Sequence, residues 1–214
     1  MDTNQAILNE VVKNGRIDEK KFFSKLNPQG NFVLDDSVMT TSAQSIKLYA
    51  LDNQYKSINN LVSSYLSVSS KLPFLYKFLL SILLQNGLRI SEALSFNTSH
   101  IINESSFFIK GLKGSHNRIC FCNYCNLLDL KQKEPNAYLF SLFSRFFVHR
   151  LFISLGLYIQ LSVNENRIVT HLFRYLYLYN LKKNNIDTET IKQNIGHKNI
   201  KSTKHYLTAP GDKK

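Results

Sequence analysis

Cysteine is scarce: three residues in 214, all between positions 120 and 125. An odd, local set is a poor disulfide framework, and it favours a reducing intracellular compartment. Long apolar runs are also missing. The two most apolar stretches, 74–84 and 138–163, are interrupted by Lys77 and by Arg145, His149 and Arg150, so both read as packed helices rather than membrane spans. The segment Met1–Val11 has neither a basic start nor an apolar block, and no secretory signal is expected. Acidic residues are few. Asp and Glu total 15 against 27 Lys and Arg, a formal charge of +12. Such a surplus points to a polyanionic partner, a nucleic acid or an anionic membrane. The membrane reading lacks a basic amphipathic anchor. With 43% hydrophobic and 20% charged residues, a fully disordered chain is excluded.

The charge is unevenly placed. Residues 1–60 carry seven bases and seven acids, which leaves 20 bases and 8 acids for residues 61–214. The polyanion-binding surface is therefore expected after residue 60. Residues 1–40 read as a short appendage, with one short helix at Ala6–Val12 and a turn at Asn27–Asn31. Residues 41–214 read as the main domain. Neither internal repeats nor low-complexity tracts are present.

Apolar spacing and punctuation predict the elements. Pro73 suits a first helical position, Leu72, Leu75, Leu79 and Leu83 share one face, and Gly87 stops that helix. A short helix follows at Ile90–Phe96. Three extended pieces come next, at Ile101-Ile102, Phe107–Ile109 and Arg118–Cys122, with Gly111–Gly114 as a turn. Pro135 opens a long helix to about Leu155. Further helices are expected at Thr170–Lys182, after the capping Asp187, and from Asn199 to about Leu207. The expected fold is mainly α with a small three-stranded antiparallel β-sheet, an α+β class. The 15 phenylalanines and most of the 11 tyrosines read as core.

A basic chain directed at nucleic acid can bind it or cut it. Cutting a phosphodiester requires neutralisation of the non-bridging oxygens, a nucleophile, and a proton for the leaving oxygen. Several residues sit in settings that suit these tasks. Arg89 opens a helix just after the Gly87 stop, where the helix N-terminus favours an anion. Lys113 lies in a glycine-flanked turn between two extended pieces. His171 and Arg174 are three apart on one predicted helix. His197 follows the stop at Gly196, and Tyr206 lies nine residues further on.

This set resembles the tyrosine recombinase (phage integrase) family. Asn86-Gly87-Leu88-Arg89-Ile90-Ser91-Glu92 is similar to the family's first arginine box. Leu112-Lys113-Gly114 is similar to its hairpin lysine, and Arg118 to the basic residue at the hairpin's far end. His171-Leu172-Phe173-Arg174, Ile195-Gly196-His197 and Tyr206 are similar to the remaining boxes. One box alone is weak; five in order, with familiar gaps over about Thr41–Thr208, are a specific signal. The resemblance implies the tyrosine recombinase catalytic-domain fold and a strand-transferase needing no cofactor, metal or ATP. In this reading Arg89 and Arg174 clamp the scissile phosphate with His171 beside them. Tyr206 attacks phosphorus to form a 3′-phosphotyrosyl link, Lys113 protonates the leaving 5′-oxygen, and His197 hydrogen-bonds the phosphate. Glu92 buttresses the arginine rather than reacting. Arg118, Lys198, Lys201 and Lys204 contact DNA. The implied partners are double-stranded DNA, three further copies of the chain in a tetramer, and an accessory DNA-bending protein. The implied setting is the cytoplasm, in association with the nucleoid, or a host cell in which a virus or mobile element acts.

Departures from the family's pattern matter too. Only about 40 residues precede the expected catalytic domain, which suggests a single-domain form or a clamp completed by another chain. Eight residues follow Tyr206, a short tail for docking on a neighbour. Telomere resolvases and type IB topoisomerase-like enzymes share the chemistry, and a DNA-binding regulator could keep the fold without cutting. A second cluster, His116, Cys120, Cys122 and Cys125, has four zinc-capable side chains, but its spacing matches no common zinc motif, and packing is the expected role.

Overall fold

Pro73 and Gly87 bracket the helix around which the domain is built. In the computed structural model that helix, α2 (Phe74–Asn86), begins after Pro73, whose φ of −58° and ψ of 152° make it the cap rather than the first helical residue. It ends at Gly87, in the left-handed conformation at φ 56°, with the Gly87 N–H donating to the Leu83 carbonyl at 2.9 Å. A side chain at Gly87 would also collide with the Tyr177 ring, 2.6 Å from the β-carbon position. The structure describes residues 52–70, 72–160 and 167–207, together with two short paired segments, β1 (Val12–Lys13) and β2 (Arg16–Ile17).

The α2 helix is buried on nearly every side, as its composition demands. It packs against α1 (Asp52–Leu66), α3 (Ile90–Leu94), β4 (Arg118–Phe121) and α6 (Leu172–Lys183). Each fully buried Leu, Ile or Phe along it contributes roughly 1.5–3 kcal/mol relative to exposure. Its single base, Lys77, is buried because its Nζ donates to the Ser67 and Ser70 carbonyls, both at 2.9 Å, at the end of α1. Aromatic rings fill the space on the hairpin side. Phe96 meets Phe107 edge-on at 5.0 Å, and Tyr76 stacks on Phe143 at 5.1 Å. Phe108, Phe121 and Phe146 are exceptions to the expected core role, being exposed.

The expected three-stranded sheet is a two-stranded hairpin. Strands β3 (Ser106–Ile109) and β4 pair antiparallel, with Phe107 opposite Cys120 and Ile109 opposite Arg118. The third piece shrinks to one bridge, Ile101 to Phe107. Thr98–His100 is a 3₁₀ turn, so extended backbone starts only at Ile101. The Ile101 carbonyl is taken by Lys131 Nζ at 2.9 Å, and the chain turns back at once, with Ile102 N–H donating to the Ser106 carbonyl. Two further short pairings occur among the described residues: β1 with β2, and β5 (Ile159–Gln160) with β6 (Arg167–Ile168).

The long helix expected from Pro135 also breaks up. Helix α4 (Leu127–Lys133) forms earlier, capped by Asn126 Oδ1, which accepts from the Leu128 and Asp129 N–H groups. The chain then passes through Asn136 at φ 55° and is tied down at Thr98, which exchanges hydrogen bonds with Ala137. Helix α5 (Arg145–Ser154) starts only after Ser144, whose Oγ accepts from the Phe147 N–H at 3.0 Å. Helix α7 (Thr188–Asn194) is capped as expected, with Asp187 accepting from the Thr190 N–H at 2.9 Å. Helix α8 (Ile200–Leu207) packs on α7 and α6. Of the helix expected at Ala6–Val12, Val12 pairs in β1 instead, and residues 6–11 lie outside the described residues, as does the turn at 27–31. No helix among the described residues is long and apolar enough to cross a membrane.

Candidate active site

Glu92 organises the basic groups. It is fully buried, at the third position of α3, where its carboxylate accepts from the Arg89 N–H at 3.0 Å. That is half of a capping box, so the helix start itself aims the acid back at Arg89. The Arg89 guanidinium reaches the same carboxylate at 3.2 Å and also donates to Ser115 Oγ in the hairpin turn. Arg118 Nη2, from β4, donates to Glu92 Oε2 at 2.9 Å. Arg174 Nη1, from α6, stands 3.9 Å from that oxygen. Burial pushes the Glu92 carboxyl up. Arg118, the Arg89 N–H and Arg174 together overcome this and hold it at about 2.

Arg174 is 1% exposed, a burial that a charged group tolerates only when its donors are satisfied. Its Nη1 donates to the Gly87 carbonyl at 2.9 Å and its Nη2 to the Ile195 carbonyl at 2.8 Å. Both carbonyls belong to helix ends, where backbone acceptors lack intrahelical partners. The two glycine stops read from the sequence thus anchor the second arginine. His197, just after Gly196, is buried, and its Nδ1 hydrogen-bonds Thr203 Oγ1 of α8 at 3.0 Å. Burial, then Arg174, Arg89 and Arg118, lower its pKa to about 4, with Glu92 opposing. His171 caps α6. Burial comes first and Arg174, Arg89, Arg145 and Lys113 follow in depressing its pKa, so its imidazole is neutral at pH 7.

The hairpin delivers Lys113. Its backbone has φ 51°, Gly114 follows at φ 80°, and the Ser115 N–H closes the turn on the Leu112 carbonyl at 3.1 Å. The Lys113 side chain is exposed at the tip, near enough to His171 to shift it. The base of the hairpin docks on the Ile195-Gly196-His197 box: the His116 N–H donates to the Gly196 carbonyl at 2.9 Å. Lys198, Lys201 and Lys204 are exposed around the start of α8. Tyr206 lies in α8, but its side chain is outside the described residues.

Arg89 and Arg174 therefore meet on one buried carboxylate that His197 also senses, and His171 senses both arginines and Lys113, from positions spread over more than a hundred residues. A sequence profile of the phage integrase family matches residues 50–210. The chain belongs to the phage integrase family. Membership supports site-specific DNA recombination in general. A search of curated proteins returned no match. Similar solved structures include XerA recombinase, at 16% identity and TM-score 0.48, covering 97% of this chain and 92% of that one. The catalytic domain of bacteriophage HP1 integrase is 22% identical at TM-score 0.49, covering 73% and 87%. XerH recombinase bound to its difH substrate is 17% identical at TM-score 0.46, covering 73% of this chain and 49% of that one.

Three contributors to this integrase-family site escaped the sequence reading. Ser115 holds the Arg89 guanidinium, Thr203 holds His197, and Arg145 opens α5 close to His171. Thr203 stands six residues after His197 and carries no signal beyond being a small polar residue on the apolar side of α8. Arg118, read as a DNA contact, turns inward, with a side chain 7% exposed. The zinc-capable cluster is split: Cys120 and Cys122 face the core while His116 is exposed. Among the described residues no group of three His, Cys, Asp or Glu side chains is placed to hold a metal ion.

Proposed function

We propose that the chain is a site-specific DNA recombinase that cleaves and rejoins duplex DNA through a 3′-phosphotyrosyl intermediate, in the integration, excision or inversion of a mobile element. The observation that carries this reading is the pairing of Arg89 and Arg174 on one buried carboxylate. Two arginines preset in a poorly hydrated site stabilise the charge that builds on the non-bridging oxygens of a pentacoordinate phosphate. Tyr206 Oη attacks phosphorus and the bond to the 5′-oxygen breaks. Neutral His171 accepts the phenol's proton, and Lys113, at the hairpin tip, gives one to the leaving 5′-oxygen. His197 donates to a non-bridging oxygen. The phosphotyrosyl ester keeps the energy of the broken bond, so a second 5′-hydroxyl reverses the step without ATP or a metal. Lys198, Lys201 and Lys204 contact the DNA backbone near the site. Exchange between two sites calls for four copies of the chain.

Nicked duplexes taken from the repeats that flank the element test the reading. The expected result is a covalent protein–DNA adduct that survives SDS, is lost in Tyr206→Phe, and forms equally in EDTA. Tight binding to a demonstrated cognate site with no adduct would establish the non-cleaving regulator instead.

A further inference from the structure

Arg118, on β4, reaches two other segments with one side chain. Its Nη2 bonds Glu92 of the first box at 2.9 Å. It stands on β4, two residues before the buried Cys120. It packs against the Ile195-Gly196-His197 box: a β-carbon at Gly196 would stand only 2.8 Å from Arg118 Nη1. Only 7% of the side chain is exposed, so its charge is turned away from any DNA surface and toward the carboxylate that holds Arg89 and Arg174. We propose that Arg118 is a positioning residue, which acts through Glu92 to fix both phosphate-clamping arginines, and makes no phosphate contact of its own. This rests on the recombinase reading for its effect on rate, but not for the geometry.

The groups facing Glu92 are Arg89 from its own helix, Arg118 from β4, Arg174 from α6, and His197 beyond α7. Arg118 is the largest influence holding the carboxyl ionised against burial. Without it, Glu92 takes up a proton at a higher pH and releases its hold on Arg89 and Arg174. A loosened clamp misplaces the phosphate, and misplacement of about 1 Å costs roughly 10²-fold in rate.

The test compares wild type with Arg118→Met and with Arg118→Lys, which keeps a charge should the first variant fold poorly. Binding to a random 30-base-pair duplex is measured across salt concentration, the Glu92 carboxyl is titrated by carbon NMR, and adduct formation on the nicked flanking-repeat duplex is followed against pH. The expected results are an unchanged salt slope, a raised Glu92 pKa, and a roughly 10²-fold slower adduct whose acid limb moves up in pH. Arg118→Lys is expected to fall between wild type and Arg118→Met. Adding Arg118→Met to a Glu92→Gln background should cost little more. A salt slope smaller by about one, with the Glu92 titration unmoved, would make Arg118 a phosphate contact and overturn the proposal. If wild type forms no Tyr206-dependent adduct, the recombinase reading has failed, while the salt slope and the titration still decide the role of Arg118.

Discussion

Replacing Glu92 by Gln keeps the shape of the side chain and removes the one negative charge that three arginines share. The size of the loss follows from the carboxyl's own titration. Its ordinary value is 4.5 and the fold holds it at about 2. That gap corresponds to about 3 kcal/mol of folding stability at neutral pH. The sign is that of a depressed carboxylate: the contribution is complete above pH 4.5 and disappears as pH falls through about 2. Glu92→Gln leaves Arg118 and Arg174 buried beside a neutral amide, and breaking a buried pair on one side costs about 3–5 kcal/mol. Urea denaturation of wild type and variant at several pH values between 7 and 3 is the assay. The variant should be less stable by several kcal/mol at pH 7, and the difference should narrow as acid removes the same charge from wild type. Equal stability at pH 7, or a gap that stays constant down to pH 3, would refute the reasoning that Glu92 is the ionised centre of the cluster.

Gly196→Ala places a β-carbon 2.8 Å from Arg118 Nη1 at φ 71°, and should cost about 1–3 kcal/mol in thermal or urea unfolding while slowing adduct formation. Thr203→Val is nearly isosteric but removes the Nδ1 partner of buried His197, for an expected loss of about 1–3 kcal/mol, with the His197 titration moved in the NMR spectrum. Lys113→Ala should bind DNA almost as wild type does and form adduct about 10²–10⁴-fold more slowly. A 5′-phosphorothiolate substrate, whose leaving sulfur needs no proton, should restore most of that rate; failure of this rescue would remove Lys113 from the role of acid.

The parts of this fold that could be read in advance are those whose physics is local. Gly87 and Asp187 terminate or cap helices for reasons contained in a few neighbouring residues, and both do so in the structure. The boxes around Arg89, Arg174 and His197 were legible as a family pattern, because five boxes in order are more specific than any one alone. What failed was settled by distant partners. Ile101-Ile102 has the composition of a strand, yet Lys131 takes the Ile101 carbonyl and the chain turns back at Ile102 onto the Ser106 carbonyl. The segment after Pro135 has helical spacing, but Thr98 holds Ala137 in an irregular path until Ser144 can cap α5. Arg118, read as a DNA contact from its place at the far end of the hairpin, bonds an acid 26 positions away, Glu92. Ser115 and Thr203 bond to groups that only the fold brings to them.

The twin carbonyl grip of Arg174 limits what could stand in its place. A guanidinium has enough N–H groups, spread across a plane, to brace the Gly87 and Ile195 helix ends from separate nitrogens and still stand beside Glu92. Lysine offers its three donors from a single nitrogen, which serves two carbonyls only where they converge on one point, as those of Ser67 and Ser70 do on Lys77. Arg174→Lys would therefore keep the charge and still leave two helix stops slack, so this position tolerates no exchange that preserves electrostatics alone.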